Sequence, residues 1–432
     1  MSIFSAMNSG VTGLAAQSAK FGAISDNISN SSSVGYKRTG VQFSTLVTNS
    51  GSTPGSYSAG GVMADLRTEV SRQGIVTTSS NATDIAIAGR GFFVVNAKPE
   101  SAPDKFQLTR SGSFRVDETG NLRNTAGLFL QGWRLNDTGA VTTGEPSRTS
   151  FGTLETVNLS NISGLVRPTG RIDFAANLPA SRTGPGGVGG TFSTSVDYFT
   201  RLGFTSRVTL EWEPSTTVAN QWTLRMRDVN NANVGQVQLQ FADGSGAVPA
   251  GTLQSITAGV PAPTAVDTAN GRMTITVGDQ PIQVNFGRTG ETGGLTQWGD
   301  QYVPTKINKD GSSYAPLERV EVGDDGIMTA VYRNGLRQAV YRLPVADVTN
   351  PDGLRRLDGN AFQVSRESGD MYLWDAGSGP AGTMNGGALE ASNVDIAEEL
   401  TSIIETQRAY SSNAKIIQTA DEMLDEVTRL MR

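Results

Sequence analysis

The two ends of this chain carry the same seven-residue apolar repeat, and the middle does not. Near the N-terminus Met7, Leu14, Phe21 and Ile28 recur every seven residues, with Val11 at an intermediate position. Near the C-terminus Ile396, Ile403, Tyr410, Ile417, Leu424 and Met431 do the same, with Leu400 and Val427 beside them. A helix with that period gathers its apolar side chains into one seam, which leaves water only by packing on another helix. The spacing predicts helices over 1–30 and 392–432 that pair at one pole. Everything between must then leave that pole and return to it.

The first helix is expected to stop in Ser29 to Gly35, where small polar residues compete for backbone hydrogen bonds and a glycine follows. The second is expected to start from Ser392 or Asn393 as N-cap. Ser18, Ser25, Gln407 and Asp421 occupy positions where a self-sufficient coil places apolar groups. The isolated pair therefore reads as marginal, and copies of the chain as its natural complement.

Between the ends the helical period gives way to alternation. Asp84-Ile85-Ala86-Ile87-Ala88 leads through Gly89-Arg90-Gly91 into Phe92-Phe93-Val94-Val95, and Asp117 to Asn121 and Asn136 to Gly139 read as hairpin turns. The same pattern continues at 208–212, 222–226, 237–241 and 273–277, so the middle is expected to be all β. Thr183 to Gly190, rich in glycine, reads as a loop or surface arm. Boundaries near Pro146 to Ser150 and Gly287 to Gly294 suggest an insertion. The expected organisation is mainly β with helical coiled-coil termini, nested as follows: helices at 1–30 and 392–432; a linker region at 31–75 and 366–391; a discontinuous β domain at 76–147 and 285–365; and an inserted distal β domain at 148–284.

Composition narrows the function. The 432 residues include no histidine and no cysteine, which removes thiol nucleophiles, Ser-His-Asp triads and the usual zinc sites. A net charge of −6 gives no electrostatic footprint for nucleic acid. The N-terminus has neither a charged start nor an apolar run of signal-peptide length, so no cleavable signal is expected. No catalytic, cofactor or metal residue is assigned. Gly89-Arg90-Gly91 lacks the rest of a phosphate loop, and Asp310-Gly311 and Asp324-Asp325-Gly326 read as tight turns rather than calcium loops. Glu398 and Glu399 read as a solvated helix face near the positive end of the dipole. Lys37-Arg38 reads as a subunit contact or a solvated pair, and Trp133, Trp212 and Trp222 as β-domain core. A glycan-active enzyme would need two acidic groups facing across a cleft, and a secreted adhesin would need an export signal or anchor.

Residues 13–17, then Ile24-Ser25-Asp26-Asn27-Ile28-Ser29-Asn30 and Gly35-Tyr36-Lys37-Arg38, resemble the N-terminal signature of the flagellar rod, hook and hook-associated axial proteins. Leu389 to Asp395, Thr406-Gln407-Arg408-Ala409-Tyr410 and Asn413-Ala414-Lys415 resemble the matching C-terminal signature. Thr83 to Phe93 and Thr109 to Phe114 are similar to segments of the hook and distal-rod branches. Gln131-Gly132-Trp133, the large insertion, and Leu295 to Trp298 favour the hook branch.

The resemblance implies a structural, non-enzymatic subunit of a helical homopolymer on the cell surface, exported uncleaved by the flagellar type III apparatus. The hook branch forms a curved tube between rod and filament; the alternative is a distal rod subunit. Implied partners are copies of the chain, the distal rod protein, the hook cap protein and the hook–filament junction protein. Met7, Val11, Leu14, Phe21, Ile28, Ile396, Leu400, Ile403, Tyr410, Ile417 and Leu424 are the candidate assembly residues. Asn27, Asn30, Gly35, Tyr36, Lys37, Ser392, Asn393, Gln407 and Arg408 carry the signature.

Overall fold

The computed structural model describes residues 3–46, 60–99, 106–142, 144–160, 162 and 164–430. Among the described residues two long helices bracket strands, turns and two short 3-10 helices: α1 covers Ile3–Ser29 and α2 covers Ile396–Leu430. Met431, the last member of the second seam, lies outside the described residues. Neither Ser392 nor Asn393 caps α2. Asp395 does, its Oδ1 accepting from the backbone N–H groups of Ala397 (2.8 Å) and Glu398 (3.3 Å). The reason is that the Asn393 side chain is committed to other backbone groups, described below.

The chain divides into two compact units. The first comprises Met1–Ile162, Glu318–Val331 and Arg337–Arg432; the second comprises Ser163–Leu317 and Tyr332–Leu336. The second unit thus begins and ends later than the 148–284 read from composition. Its late limit has a structural cause. The strand Arg171–Leu178 pairs in parallel with Gln280–Asn285 and antiparallel with Val303–Lys309, so the chain beyond 285 stays within the same sheet. The glycines at 287–294 sit in a connection of that sheet, with the Leu295 N–H bonded to the Phe286 carbonyl at 2.9 Å.

Within the second unit, five strands (Phe192–Phe199, Thr205–Pro214, Gln221–Arg227, Asn233–Phe241 and Leu253–Ala258) form an antiparallel meander in chain order. A six-stranded mixed sheet shares its core. Alternation drives this: Val208, Leu210 and Trp212 face inward with Trp222, Leu224 and Met226, and Phe174 from the other sheet stacks on Trp212 at 5.6 Å. The outward positions carry cross-strand ion pairs, Arg207–Asp197, Arg225–Glu213 and Arg227–Glu211. The 183–190 stretch is a loop tied to this unit, where the Gly184 N–H donates to the Ser215 carbonyl and Arg182 to the Gly189 carbonyl.

In the first unit a thirteen-stranded sheet brings together pieces distant in sequence, since Phe92–Asn96 pairs with Pro344–Val348. Its apolar core gathers Phe92, Val94, Leu108, Trp133, Ala346, Val348 and Phe362. The Asp117 carboxylate closes the predicted hairpin turn by accepting from the N–H groups of Thr119 and Asn121. Strands β1 (Thr39–Thr45) and β2 (Val62–Thr68) form a separate two-stranded ribbon that packs on α1.

Candidate assembly surface

Helices α1 and α2 lie antiparallel, with Gly10 opposite Ile417 and Asn27 opposite Glu399. The face that α1 turns to α2 is made mostly of small residues: Gly10, Gly13, Ala16 and Ala23 are buried, with Ile24 beside them. A Cβ added to Gly10 would stand 2.9 Å from the Ile417 side chain, and one on Gly13 would stand 2.9 Å from that of Asn413. The absence of side chains here sets how closely the axes approach. On α2 the facing positions include buried Glu399, Thr406 and Ala420, with Ile403, Ile417 and Leu424 half-buried beside them.

The seven-residue apolar seam of α1 therefore runs in a different phase from its contact with α2. Val11 is 51% exposed and Phe21 43%, and Met7, Leu14 and Ile28 are only half-buried. On α2, Ile396, Leu400 and Tyr410 are exposed. The large apolar residues form the bulky flank; close helix packing selects the small one. Gln17, Ser18 and Phe21 of α1 and Thr406, Gln407, Tyr410 and Ser411 of α2 line a groove of about 440 Å³ between the helices. The Gln17 Oε1 is buried there and finds no hydrogen-bond partner among the described residues.

Beneath the helix pair the two chain ends are joined by buried polar groups. Glu390, 1% exposed, accepts from Lys37 Nζ at 2.7 Å and from the Gly74 N–H at 2.9 Å through one oxygen, and from Arg110 at 2.9 Å through the other. Lys37 also donates to the Arg72 carbonyl at 2.6 Å, and Arg110 to the Gly89 carbonyl at 2.7 Å. Burial pushes the Lys37 amine below its ordinary range, with the Glu390 charge opposing that shift; burial likewise lowers Arg110.

A second cluster sits alongside. Asn27, fully buried, accepts from the Thr39 N–H and donates to the Thr39 carbonyl and to Glu399. Arg38 donates to Glu399 at 2.5 Å and to Glu69 at 2.8 Å. The Asn393 side-chain Oδ1 accepts from the Arg38 backbone N–H at 2.7 Å, while its Nδ2 donates to the carbonyls of Glu69 and Arg72. The Tyr36 hydroxyl shares its proton between Asp26 and Asn27, each at 3.1 Å, and burial raises its pKa. Gly35, at φ +67°, has the backbone of Arg110 and Ser111 where a side chain would go.

Of the signature residues, Asn27, Gly35, Tyr36, Lys37 and Asn393 thus meet in one place. Asn30 stays local, donating to the Asp26 carbonyl, and the Ser392 hydroxyl accepts from the Val394 N–H. Gln407 lines the groove, and Arg408 is exposed on α2. The reading of Lys37-Arg38 as solvated or intersubunit is corrected: Lys37 is 2% exposed and both bond within the chain. Glu399 is also corrected, being fully buried rather than solvated. Glu390, Arg110 and Glu69 carry no periodic signal as interacting groups, because the side chains that pair with them lie 353, 280 and 31 residues away.

Family models match three segments of the chain: "Flagella basal body rod protein" over 7–37, "Flagellar hook protein FlgE/F/G D1 domain" over 86–166, and "Flagellar basal body rod FlgEFG protein C-terminal" over 385–430. The chain is 35% identical over 439 residues to the flagellar hook protein FlgE of Rhizobium meliloti, covering all of both chains. It is 33% identical over 436 residues to that of Brucella melitensis, again covering all of both. A solved hook protein from Helicobacter pylori superposes on 73% of this chain, and all of its own, at 13% identity and a TM-score of 0.47. Among the described residues no helix is long and apolar enough to cross a membrane. Two full-length relatives above thirty per cent identity, with family segments at both ends and in the first β region, make this chain a member of the flagellar hook protein family.

Proposed function

We propose that the chain polymerises through the exposed flank of its helix pair into a curved tube that couples rod to filament, transmits torque and encloses an export channel. The observation that carries this reading is the placement of Phe21, Leu400 and Tyr410. They are large, apolar and exposed on the helices, whereas Trp133, Trp212 and Trp222 are fully buried in the β units. An apolar flank of this kind is what a partner surface looks like before it is covered. Val11 and Ile396, exposed, and Met7, Leu14 and Ile28, half-buried, extend this surface, and the half-buried Ile403, Ile417 and Leu424 border it, with Ile417 already packed on Gly10.

Coaxial helices with interlocked apolar side chains resist slip, and so suit an inner wall at 1–30 and 392–432. The polar, ion-paired outer face of the second unit suits contacts that exchange as the tube bends, because water replaces each lost hydrogen bond. The segments at 31–75 and 366–391 connect the two roles. Export without cleavage, and contact with the distal rod protein, the hook cap protein and the hook–filament junction protein, belong to the same reading. No catalytic role is proposed.

Electron microscopy of the concentrated protein under polymerising salt tests it. Curved tubes are expected from the native chain and none from Phe21→Asp or Leu400→Asp. Both variants should keep the native unfolding free energy to within about 0.5 kcal/mol, since the sites are exposed. Straight tubes from the native chain would point to a rod subunit, and tubes from both variants would remove the helical flank from the assembly.

A further inference from the structure

Helical polymers grow through heterologous contacts, in which two different patches of one chain complement each other. Helix α2 offers two candidates. Ile396, Leu400 and Ile404, at i, i+4 and i+8, are 49, 51 and 53% exposed; Ile416, Met423 and Val427, at i, i+7 and i+11, are 47, 51 and 44% exposed. At about 100° per residue, the second ridge points roughly 200° around the helix from the first.

The first ridge shares its flank with the groove between the helices, where Phe21 and Tyr410 stand exposed on either side. On α1 that flank continues through Met7, Val11, Leu14, Ser18, Ser25 and Ile28, and it carries no charge. Covering it therefore costs little desolvation. At the floor of the groove the Gln17 Oε1 is a buried acceptor with no donor among the described residues, a group that costs free energy until something donates to it. The second ridge lies on the other flank of α2, near its C-terminal end. One side of the helix pair is a socket, and the other side carries a knob.

We propose that the Ile416, Met423 and Val427 ridge of one copy seats in the Phe21–Tyr410 groove of the next, a head-to-tail contact that gives the polymer its polarity. This rests on the assembly reading above and names the two surfaces that meet. With copies running parallel, bringing Met423 level with Gln407 staggers neighbours by about 24 Å along the helix axis, at about 1.5 Å per residue.

The chain has no cysteine, so single introduced thiols report the contact cleanly. Ser18→Cys marks the groove and Met423→Cys the ridge, both at exposed positions. Oxidising polymers grown from an equal mixture is expected to give disulfide-linked dimers that contain one chain of each kind. Polymers of either variant alone should give none. A second pair, Gln407→Cys with Thr419→Cys, covers the case of one badly aimed thiol. Dimers within a single-variant polymer would show a self-complementary contact and overturn the proposal. So would normal polymers in which both mixed pairs stay unlinked, with the hook reading left standing. No polymer from the unmodified chain would overturn the hook reading, and this one with it.

Discussion

The core of the second unit and the foot of the helix pair are equally buried but built from opposite materials. In the first, Trp212, Trp222, Leu224 and Phe174 pack without a charge among them. In the second, Lys37, Arg110, Glu390, Asn27 and Glu399 are withdrawn from water and held by hydrogen bonds to one another and to backbone groups. An apolar core tolerates small rearrangement, because dispersion has no direction. A buried polar cluster does not, because each group needs its own partner at its own angle. The foot of the helices is thus the place where the position of one chain end dictates that of the other. That suits a subunit whose helices must present one fixed flank to their neighbours.

The contrast is sharpest at Glu390. Glu390→Ala leaves Lys37 and Arg110 buried without a counter-charge and should destabilise the first unit by about 3–5 kcal/mol. Denaturation followed by the helical circular dichroism signal measures it. Replacing Lys37, Arg110 and Glu390 together by methionine should recover most of the loss, since an apolar set of similar volume is often neutral or better. A triple variant as unstable as the single one would show that the cluster contributes net stability.

In the second unit, Leu224→Ala should cost about 2–5 kcal/mol through cavity formation and leave the helical signal unchanged. Gly13→Ala forces a methyl against Asn413 and should cost about 1–3 kcal/mol, with partial loss of helix pairing. A neutral Gly13→Ala would mean that the axes separate freely.

The smallest effect is a pH slope. The Lys37 amine is lowered from 10.5 in the folded chain, so below that value the unfolded chain holds more protons and stability rises with pH. Tyr36 acts oppositely above 10.0, where its raised pKa makes the folded chain hold more protons. The rise is thus to be sought below 10.0 and should vanish in Lys37→Met. An unchanged slope in that variant would assign it to other groups.

Much of this was legible in the residues themselves. Alternation at 208–212, 222–226, 237–241 and 273–277 placed strands that the structure contains, and in each the apolar residues are the buried ones. The seven-residue repeat placed both helices. These signals are local: a period of two or of seven is written in one stretch of chain, and burial of one face follows wherever a partner lies.

What the tertiary structure decided is which partner. The bulky seam of α1 and its glycine-lined face are both consistent with helix pairing. Only the approach of Ile417 and Asn413 to Gly10 and Gly13 shows which one meets α2. Asn393 reads as a helix cap until Arg38 and the carbonyls of Glu69 and Arg72 claim it, and Glu399 reads as solvated until Arg38 and Asn27 reach it. Composition likewise could not see that the strand at 303–309 belongs to the sheet of 171–178. The sequence by itself determined the elements and their amphipathic faces, since those depend on neighbouring residues. The buried charges, the close helix contact and the limits of the second unit depend on residues brought together from distant positions, and only the folded chain specifies those meetings.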